Sequence, residues 1–534
     1  MSQPRGRLRA TSCAVITSML CLLHAACQAA GQGDKPVVAT ASGKVEGIQT
    51  KNGVLAFLGI PFAQPPKGDL RFAPPVEVTP WDGVLAAKKS GPAAPQPSDP
   101  AAKFTQDEDC LNLDIWTPGV DGRKRPVIVY IHGGAFMLDR SGEPTYDGAN
   151  ISKRGDIVLA SINYRLGALG FLYLDAFGAE YKGSGSNGLL DQVLALRWVK
   201  NNIARFGGDP DNITVMGESA GAESIFALMS MPQTKGLFQK AIAQSGPFNM
   251  FRTREEAASL TADFMEICKK KYGVTDVAGL RKLKPQELID AQEDLIAKGS
   301  VLCPRIWMPV IDGTVIPKEP FAAIQDGAAA GIALLNGTNC DEYCFWIQFK
   351  PSMQSEPLSQ FFSEIPWFAS KLGDRKQEVM DFYNKRNPTP GSDKSSIPSS
   401  VAYATDAMFL VPHIKASEAQ AKHAKVWMYR FDWKSRAEEY LNACHGVELP
   451  FVFKTFDSGS GCGLAGPNPP MGLSDAMQDA WISFARTGDP NHKGLPEWPA
   501  YEPAHRATMI FDTKSKTVED PNPEVRQLFK DIPL

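Results

Sequence analysis

Gly217-Glu218-Ser219-Ala220-Gly221 follows an apolar run at residues 213–216 and precedes a segment at 222–229 that can be helical. A Gly-x-Ser-x-Gly pattern between a strand and a helix is the context of a nucleophile elbow, a tight turn that exposes a serine hydroxyl. The glycines let the backbone turn without a side-chain collision. The helix that follows points its N-terminal N–H groups at the reacting oxygen. We therefore predict that Ser219 is a catalytic nucleophile; the structural alternative is an ordinary serine in a glycine-rich turn.

Apolar runs on both sides of the elbow predict the strands of a central sheet. Continuous apolar runs are typical of strands buried on both faces, and an amphipathic helix is predicted at residues 189–206. The predicted strands are residues 127–131, 157–162, 213–216, 237–243, 332–335 and 426–431. Their alternation with helical stretches predicts an α/β-hydrolase fold, with a mostly parallel central sheet and helices on both faces.

The remaining segments predict additions to this sheet. Residues 37–59 alternate short extended pieces with glycine turns and predict an N-terminal antiparallel ribbon. Residues 252–300 and 357–386 have helical patterns and predict long capping insertions, while residues 387–400 predict a surface loop rich in Pro, Ser and Asp.

Composition bounds the class of protein. The chain has 534 residues, of which 43% are hydrophobic and 22% charged, so a large soluble core is possible. No internal repeat or long low-complexity linker divides it, and we expect residues 31–534 to form a single domain. A net charge of −3 and the absence of a basic stripe give no support for nucleic-acid binding.

The N-terminus has the pattern of a targeting segment. Arg5, Arg7 and Arg9 precede an apolar stretch at residues 14–26, which predicts a signal peptide over residues 1–30. The stretch is too short to span a bilayer, and no later run predicts a membrane span. We therefore expect export to the periplasm or secretion; a lipoprotein anchored through Cys27 is the minor alternative.

A glycine-rich loop predicts the oxyanion hole. His132-Gly133-Gly134-Ala135 directly follows the apolar strand that ends at Ile131. Loops at this position supply backbone N–H donors to the tetrahedral oxyanion. The predicted donors are the N–H groups of Gly134, Ala135 and Ala220, with His132 shaping the loop rather than acting as the base.

The partners of the serine are expected later in the chain, an acid first and a histidine second. Two histidines remain after those in the leader, before the serine and in polar or proline-rich segments are set aside. His413 has the pattern of a helix start, whereas His445 is predicted in a loop, where an imidazole is presented more readily. The acid should follow the strand at 332–335, and spacing alone leaves Asp341 and Glu342 both open.

Several motifs make the chain resemble the type-B carboxylesterases, the family that includes the cholinesterases, and most of all its bacterial para-nitrobenzyl esterases. The likeness runs from about Gly43 to about Pro499. The motifs that carry it are Phe57-Leu58-Gly59-Ile60-Pro61-Phe62-Ala63, Glu108-Asp109-Cys110-Leu111-Asn112-Leu113, Asn163-Tyr164-Arg165-Leu166-Gly167, Phe206-Gly207-Gly208-Asp209-Pro210, the serine elbow and His445-Gly446-Val447-Glu448-Leu449-Pro450-Phe451.

This resemblance implies a function and selects among the open residues. The family's acid is the glutamate of an Asp-Glu-Gly motif, which implies Glu342 here, and the resemblance also implies His445. Tyr343 stands where the family has glycine. Many relatives pair the cysteine at Cys110 with one upstream, but Ala93-Ala94-Pro95-Gln96 occupies that place, so Cys110 is expected to be a free thiol.

The expected reaction is ester hydrolysis on small molecules through a Ser219–Glu342–His445 triad and an acyl-enzyme, without a metal or organic cofactor. One alternative is the same triad acting mainly on carbamates, amides or lipids, since pocket shape chooses the leaving group. A remote alternative is a non-catalytic cholinesterase-like binding module.

The cysteines predict one further feature. Seven cysteines follow the leader, and an exported protein can keep disulfides. Because an acid loop and a histidine loop must meet in a triad, we expect Cys444 to bond to Cys340 or Cys344, with Cys462 as the competing partner. The connectivity of Cys268 and Cys303 stays open.

Overall fold

The computed structural model describes residues 35–97, 103–297, 306–387 and 396–533. The predicted signal peptide, with Cys27, lies outside the described residues, as do Cys303 and most of the predicted loop at 387–400. Strands in the described part are β1 (Val37–Ala39), β2 (Lys44–Glu46), β3 (Ile48–Gln49), β4 (Leu55–Pro61), β5 (Val84–Ala86), β6 (Asn112–Thr117), β7 (Arg125–Ile131), β8 (Val158–Ile162), β9 (Gly208–Glu218), β10 (Lys240–Gln244), β11 (Ala333–Asn339), β12 (Val426–Phe431), β13 (Ala507–Phe511) and β14 (Lys516–Glu519).

These strands form two sheets. The large sheet has eleven strands in the order β14-β13-β12-β11-β10-β9-β7-β8-β6-β4-β3, and a small one has the order β1-β2-β5. In the large sheet, all neighbouring strands in the run β13-β12-β11-β10-β9-β7-β8 are parallel. The pairs toward the two edges, which are β14-β13, β8-β6, β6-β4 and β4-β3, are antiparallel. The buried apolar runs thus form the parallel centre, as their composition predicts.

Seventeen α-helices lie in the described residues. They are α1 (Ala149–Gly155), α2 (Gly167–Phe171), α3 (Asn187–Asn202), α4 (Ala220–Ser230), α5 (Arg254–Tyr272), α6 (Val277–Leu280), α7 (Pro285–Ala297), α8 (Pro320–Gln325), α9 (Leu358–Glu364), α10 (Pro366–Ser370), α11 (Lys376–Arg386), α12 (Ser399–Thr405), α13 (Val411–Gln420), α14 (Leu449–Phe453), α15 (Gly459–Ala465), α16 (Met471–Thr487) and α17 (Pro523–Leu528). In the part of the chain described here, none of these helices is both long and apolar enough for a membrane span.

Helices cover both faces of the sheet. Adjacent residues of a strand point to opposite faces. Asn336 of β11 donates its Nδ2 to Ser417 of α13 at 2.9 Å. Tyr429 lies beside Gly337, the next residue of β11, and its ring packs on Trp481 of α16 with centroids 5.1 Å apart. Helices α13 and α16 therefore lie on opposite faces, which gives the predicted α/β-hydrolase arrangement.

The parallel centre determines where a site can form. The carboxyl ends of β7, β9, β11 and β12 meet at one edge of the sheet, and each continues into a segment that the sequence singled out. Residue His132 follows β7, Ser219 follows β9, and Glu342 lies three residues beyond β11. His445 lies in the loop between β12 and α14.

The predicted strand and helix positions agree closely with the structure, apart from their ends. The run at 237–243 enters the sheet only at Lys240, and the helix expected over 189–206 is α3, which begins at Asn187 and ends in a 3₁₀ turn at Ile203–Phe206. The N-terminal ribbon and both helical insertions are present. His413 lies in the first turn of α13, as expected, and α13 continues from α12 through a π-helical turn at Asp406–Leu410.

Candidate active site

Ser219 lies at a strained turn between β9 and α4. Its backbone has φ 57° and ψ −123°, and Ala220 begins the helix. A non-glycine residue in this region costs on the order of 1–3 kcal/mol and persists only where neighbours hold it. Here the Ser219 N–H donates to the carbonyl of Gln244 in β10 at 2.9 Å. The Ser219 side chain makes no capping hydrogen bond to α4.

The two glycines of the elbow are required by close backbone contact. A Cβ added to Gly221 would lie 2.0 Å from the carbonyl oxygen of Ile131 in β7. One added to Gly217 would lie 2.6 Å from the carbonyl carbon of Gly221. Both distances are too short for carbon atoms, so any side chain here would push α4 away from the sheet. This is the physical reason for the glycine spacing in the motif.

The predicted oxyanion loop packs against the serine. Three successive residues, Gly134, Ala135 and Phe136, have positive φ values of 87°, 55° and 59°. The Gly134 carbonyl closes the turn by accepting from the Met137 and Leu138 N–H groups, each at 2.9 Å. A Cβ on Gly133 would lie 3.0 Å from the Ser219 Cβ, so the loop and the elbow are in direct contact.

His132 helps to shape this loop. Its buried ring stacks on Tyr164 with centroids 4.4 Å apart, and the Tyr164 hydroxyl donates to the His132 carbonyl at 2.9 Å. Burial lowers the pKa of His132 to about 4, so the ring is neutral near pH 7. These contacts indicate that His132 holds the loop in shape and does not serve as the proton acceptor.

His445 and Glu342 are joined by a short hydrogen bond. His445 Nδ1 lies 2.7 Å from Glu342 Oε2, and the His445 N–H donates to the Glu342 carbonyl at 3.1 Å. The other carboxylate oxygen, Oε1, accepts from the Asn339 N–H at 2.7 Å. Glu342 is fully buried and His445 is 8% exposed. The carboxylate is therefore fixed from both sides and orients the imidazole.

The other acid and the other histidine considered from the sequence make different contacts. Asp341 Oδ2 accepts from the Ala443 N–H at 3.2 Å and so ties the two loops together through their backbone. His413 is fully buried in α13, where it stacks on Phe248 with centroids 4.3 Å apart. Burial lowers its pKa to about 3. In the part of the chain that the structure describes, no hydrogen bond or ion pair joins either side chain to Glu342 or His445.

The second imidazole nitrogen faces an acid that no sequence prediction covered. Glu218 Oε1 lies 3.2 Å from His445 Nε2, and among the described residues no hydrogen bond joins the Ser219 hydroxyl to His445. Catalytic hydrogen bonds are often absent or long without substrate. The sequence signal for Glu218 was an acidic residue inside an otherwise apolar, buried elbow.

Buried carboxylates determine the charge state of this imidazole. Burial lowers the pKa of His445, but Glu218, Glu342 and Glu448 together outweigh it and raise the pKa to about 9. Burial, with some help from Glu448 and Glu342, raises the pKa of Glu218 to about 8, although His445 opposes the shift. The surroundings thus favour a proton held between His445 and Glu218.

A buried polar network supports the histidine loop from below. Asn339 Nδ2 donates to the Cys444 carbonyl at 2.8 Å and to Glu448 Oε2 at 2.6 Å. Glu448 Oε1 accepts from Gln244 Nε2 at 3.0 Å, and Gln244 Oε1 accepts from the Trp481 ring N–H at 2.9 Å. This chain of bonds links β10, β11 and α16 to the loop, and sequence reasoning did not find it because its members are far apart in the chain.

Ser219 opens into an apolar pocket of about 40 Å³. Trp346 and Phe409 also flank the His445 ring, with centroids 5.2 and 5.0 Å away. Aromatic and methionine side chains dominate the lining, which consists of Ala135, Phe136, Ser219, Ala220, Glu223, Pro247, Met250, Met308, Trp346, Met408 and Phe409. The pocket joins the serine, two of the three predicted oxyanion residues and a surface suited to an apolar group.

The expected disulfide is not formed in the structure. Cys340, Cys344 and Cys444 are all thiols, as are the other described cysteines, Cys110, Cys268 and Cys462. The loops do meet as expected, since the Asp341 N–H donates to the Ala443 carbonyl at 3.0 Å. Backbone hydrogen bonds therefore hold them together without a covalent bond. Cys110 is a buried free thiol, as expected from the lack of an upstream cysteine in the place where many relatives have one.

Within the described ranges, no group of three or more His, Cys, Asp or Glu side chains has an arrangement that could hold a metal ion.

Comparison with known proteins finds similarity over most of the chain. The model of the carboxylesterase family matches residues 34–528. The para-nitrobenzyl esterase of Bacillus subtilis (strain 168) is 40% identical over 92% of this chain and 98% of its own length. The phenmedipham hydrolase of Pseudarthrobacter oxydans is 33% identical over 91% of this chain and 96% of its own. A crystal structure of a Geobacillus stearothermophilus carboxylesterase superposes with a TM-score of 0.81 at 38% identity, covering 92% of this chain and 99% of that one.

Proposed function

The chain belongs to the carboxylesterase family and is a serine ester hydrolase, and we propose that it cleaves small-molecule carboxylic esters through a Ser219–His445–Glu342 triad. One observation carries the proposal. His445 is held by Glu342 at 2.7 Å at the sheet edge where Ser219 opens into an apolar pocket. A nucleophile, a base and an orienting acid are the groups that acyl transfer to serine uses, which supports the proposal.

In the proposed first half-reaction, the Ser219 Oγ attacks the ester carbonyl carbon while His445 Nε2 accepts the hydroxyl proton. Glu342 accepts from Nδ1, which fixes the tautomer with a free Nε2 and stabilises the imidazolium. The negative oxygen of the tetrahedral intermediate accepts from the N–H groups of Gly134, Ala135 and Ala220. The C–O bond to the alcohol then breaks, and His445 returns its proton to the leaving oxygen.

The second half-reaction repeats these roles with water. His445 removes a proton from a water molecule, which attacks the acyl-enzyme carbonyl, and Ser219 leaves with the proton that His445 gives back. Because His445 Nε2 faces Glu218 in the resting structure, the imidazole must exchange this contact for Ser219 before the reaction starts. Transfer of the shared proton from Nε2 to Glu218 leaves a neutral imidazole, which can turn to Ser219 and act as the base.

Three variants test the triad. We expect Ser219→Ala, Glu342→Gln and His445→Ala to lower kcat by roughly 10⁴-fold or more, since members of such a unit fail together. Asp341→Asn is the matched control: it changes the neighbouring carboxyl, whose bond to the Ala443 N–H an amide oxygen can replace. Near-normal turnover by Ser219→Ala on a para-nitrophenyl ester, measured with a folded variant, would overturn the proposal.

The pocket supports esters with an apolar acyl or alcohol group, since aromatic and methionine side chains form most of its wall. The alternative, the same triad acting mainly on carbamates, amides or lipids, is separated by a substrate panel. We expect kcat/KM to be higher for short para-nitrophenyl esters than for matched carbamates, anilides or triglycerides. If the enzyme prefers carbamates, anilides or triglycerides, that class replaces esters as the proposed substrate. If it turns over no ester at all, a non-catalytic binding module is favoured.

We also propose that residues 1–30 are removed on export and that residues 31–534 form one mature domain in the periplasm or outside the cell. The Arg-rich start and short apolar stretch support this. N-terminal sequencing of protein from the native source is the test, and an intact Met1 on cytosolic protein would contradict it. Non-reducing peptide mapping of the same protein would show whether Cys444 is a thiol there too.

A further inference from the structure

The oxyanion loop has an unfavourable backbone. Gly134, Ala135, Phe136 and Asp139 all have φ values between 55° and 87°, and three of them carry a Cβ. The left-handed region is unfavourable for such residues, so the loop keeps this shape only if contacts from outside impose it. Only glycine fits at position 134 in this conformation, because a Cβ there would lie 2.2 Å from the Leu138 carbonyl oxygen.

The side chain of Gln96, from an earlier segment of the chain, forms hydrogen bonds to the end of this loop. The Asp139 N–H donates to Gln96 Oε1 at 2.7 Å, and Gln96 Nε2 donates to the Asp139 carbonyl at 3.0 Å. The same nitrogen donates to the Ala94 carbonyl at 3.0 Å. Gln96 is 4% exposed, and its own N–H donates to Gln106 Oε1 at 2.9 Å. One buried amide therefore satisfies both backbone groups of one loop residue and is itself anchored.

These hydrogen bonds hold the far end of the loop, at Asp139. The near end of the loop is fixed by β7, and the middle by the Gly167 N–H, which donates to the Phe136 carbonyl at 2.7 Å. Asp139 comes directly after the turn closed by the Gly134 carbonyl. Its side chain accepts from the Tyr146 hydroxyl at 2.6 Å, but its backbone is held by Gln96. Releasing that backbone lets the turn relax and changes the direction of the N–H groups within it.

We propose that Gln96 is a positioning residue for the oxyanion hole: its amide holds the Asp139 backbone and thereby keeps the N–H groups of Gly134 and Ala135 directed at the transition state. The inference rests on the proposed function.

The test compares Gln96→Ala and Gln96→Met, which keeps most of the side-chain volume but none of its hydrogen bonds. We measure kcat and KM on a para-nitrophenyl ester, the inhibition constant of a trifluoromethyl ketone that mimics the tetrahedral intermediate, and the thermal midpoint. Loss of oxyanion alignment lowers kcat by about 10- to 100-fold with little change in KM. The ketone should lose affinity by the same factor as kcat/KM, because it reports on transition-state binding.

Gln420→Ala is the control for a purely structural effect. Gln420 is also a buried amide, and its Nε2 donates to the Ala329 and Ile332 carbonyls at 2.9 and 2.7 Å, at the opposite end of β11 from the site. This variant should lower the thermal midpoint and leave kcat unchanged.

Folded Gln96→Met with wild-type kcat and ketone affinity would overturn the inference, and so would a Gln96→Met that unfolds while Gln420→Ala stays folded, because the role would then be structural. Activity retained in Ser219→Ala would instead refute the proposed function, so the two failures are distinguishable.

Discussion

Replacing Glu218 with glutamine should move the pH dependence of the reaction to lower pH. The substitution keeps the size of the side chain and removes the carboxylate that lies 3.2 Å from His445 Nε2. The charge attraction of Glu218 is the largest single effect that raises the pKa of His445. Without it, the imidazole gives up its proton more easily and is available as a base at lower pH.

The distance bounds the size of the shift. Opposite unit charges 3.2 Å apart at an effective dielectric constant of about 20 attract by about 5 kcal/mol, which corresponds to roughly 3–4 pKa units. This is an upper bound, because the Glu218 pKa of about 8 leaves that carboxyl largely protonated near neutral pH. We therefore expect the pKa of the catalytic base to fall by about 1–2 units, within the range observed for charges this close.

The assay is the pH profile of kcat/KM for a para-nitrophenyl ester, whose acid limb reports the base in the free enzyme. The sign follows from the base mechanism: activity needs neutral His445, so a lower pKa extends activity toward acid. Glu223→Gln is a useful comparison, because this acid lies one helical turn beyond Ser219 and its Oε1 accepts from the Met250 N–H. An acid limb that stays in place or moves to higher pH in Glu218→Gln would refute this electrostatic account.

Further predictions concern the pocket wall and the core. The Tyr343 ring stacks behind Trp346 with centroids 4.7 Å apart, so Tyr343→Gly should let Trp346 move and raise the kcat/KM ratio of a bulky ester to a small one by about tenfold. Tyr343→Phe keeps the stack and should leave that ratio unchanged; equal ratios in both variants would contradict the prediction. Arg165 and Asp191 form a buried ion pair at 2.7 Å, and Arg165→Met should cost about 3–5 kcal/mol in urea unfolding because it leaves a buried carboxylate. Arg154→Met at the surface should cost less than about 1 kcal/mol, and similar losses in the two variants would count against this reasoning.

The parallel centre of the sheet could be predicted from sequence because its strands are continuous apolar runs. The neighbouring strand β6 could not, since Asn112, Asp114 and Thr117 look like surface residues and are in fact buried. Asp114 is accommodated by the Gly59 N–H at 2.7 Å and the Ser90 hydroxyl at 2.6 Å. These partners lie far away in the chain, so the local pattern carries no sign of them.

The candidate active site also has a part that the sequence predicts and a part that it does not. Ser219 and the loop after Ile131 follow from local motifs, in which glycine spacing and neighbouring strands carry the signal. The contact between Glu218 and His445 joins residues far apart in sequence, and so do the hydrogen bonds between Gln96 and Asp139. Such contacts depend on how the loops are folded over the sheet edge, which neither periodicity nor spacing describes.

The central claim is that Ser219 forms the acyl-enzyme, and covalent labelling tests it most directly. The purified enzyme is treated with an organophosphate, which phosphorylates an activated serine, and the modified peptide is located by mass spectrometry while residual ester turnover is measured. The account predicts one label per chain, on Ser219, with activity lost in proportion to labelling, and no label on Ser219 in His445→Ala over the same time. Complete inactivation with the label on another residue, or full labelling of Ser219 with turnover intact, would contradict it.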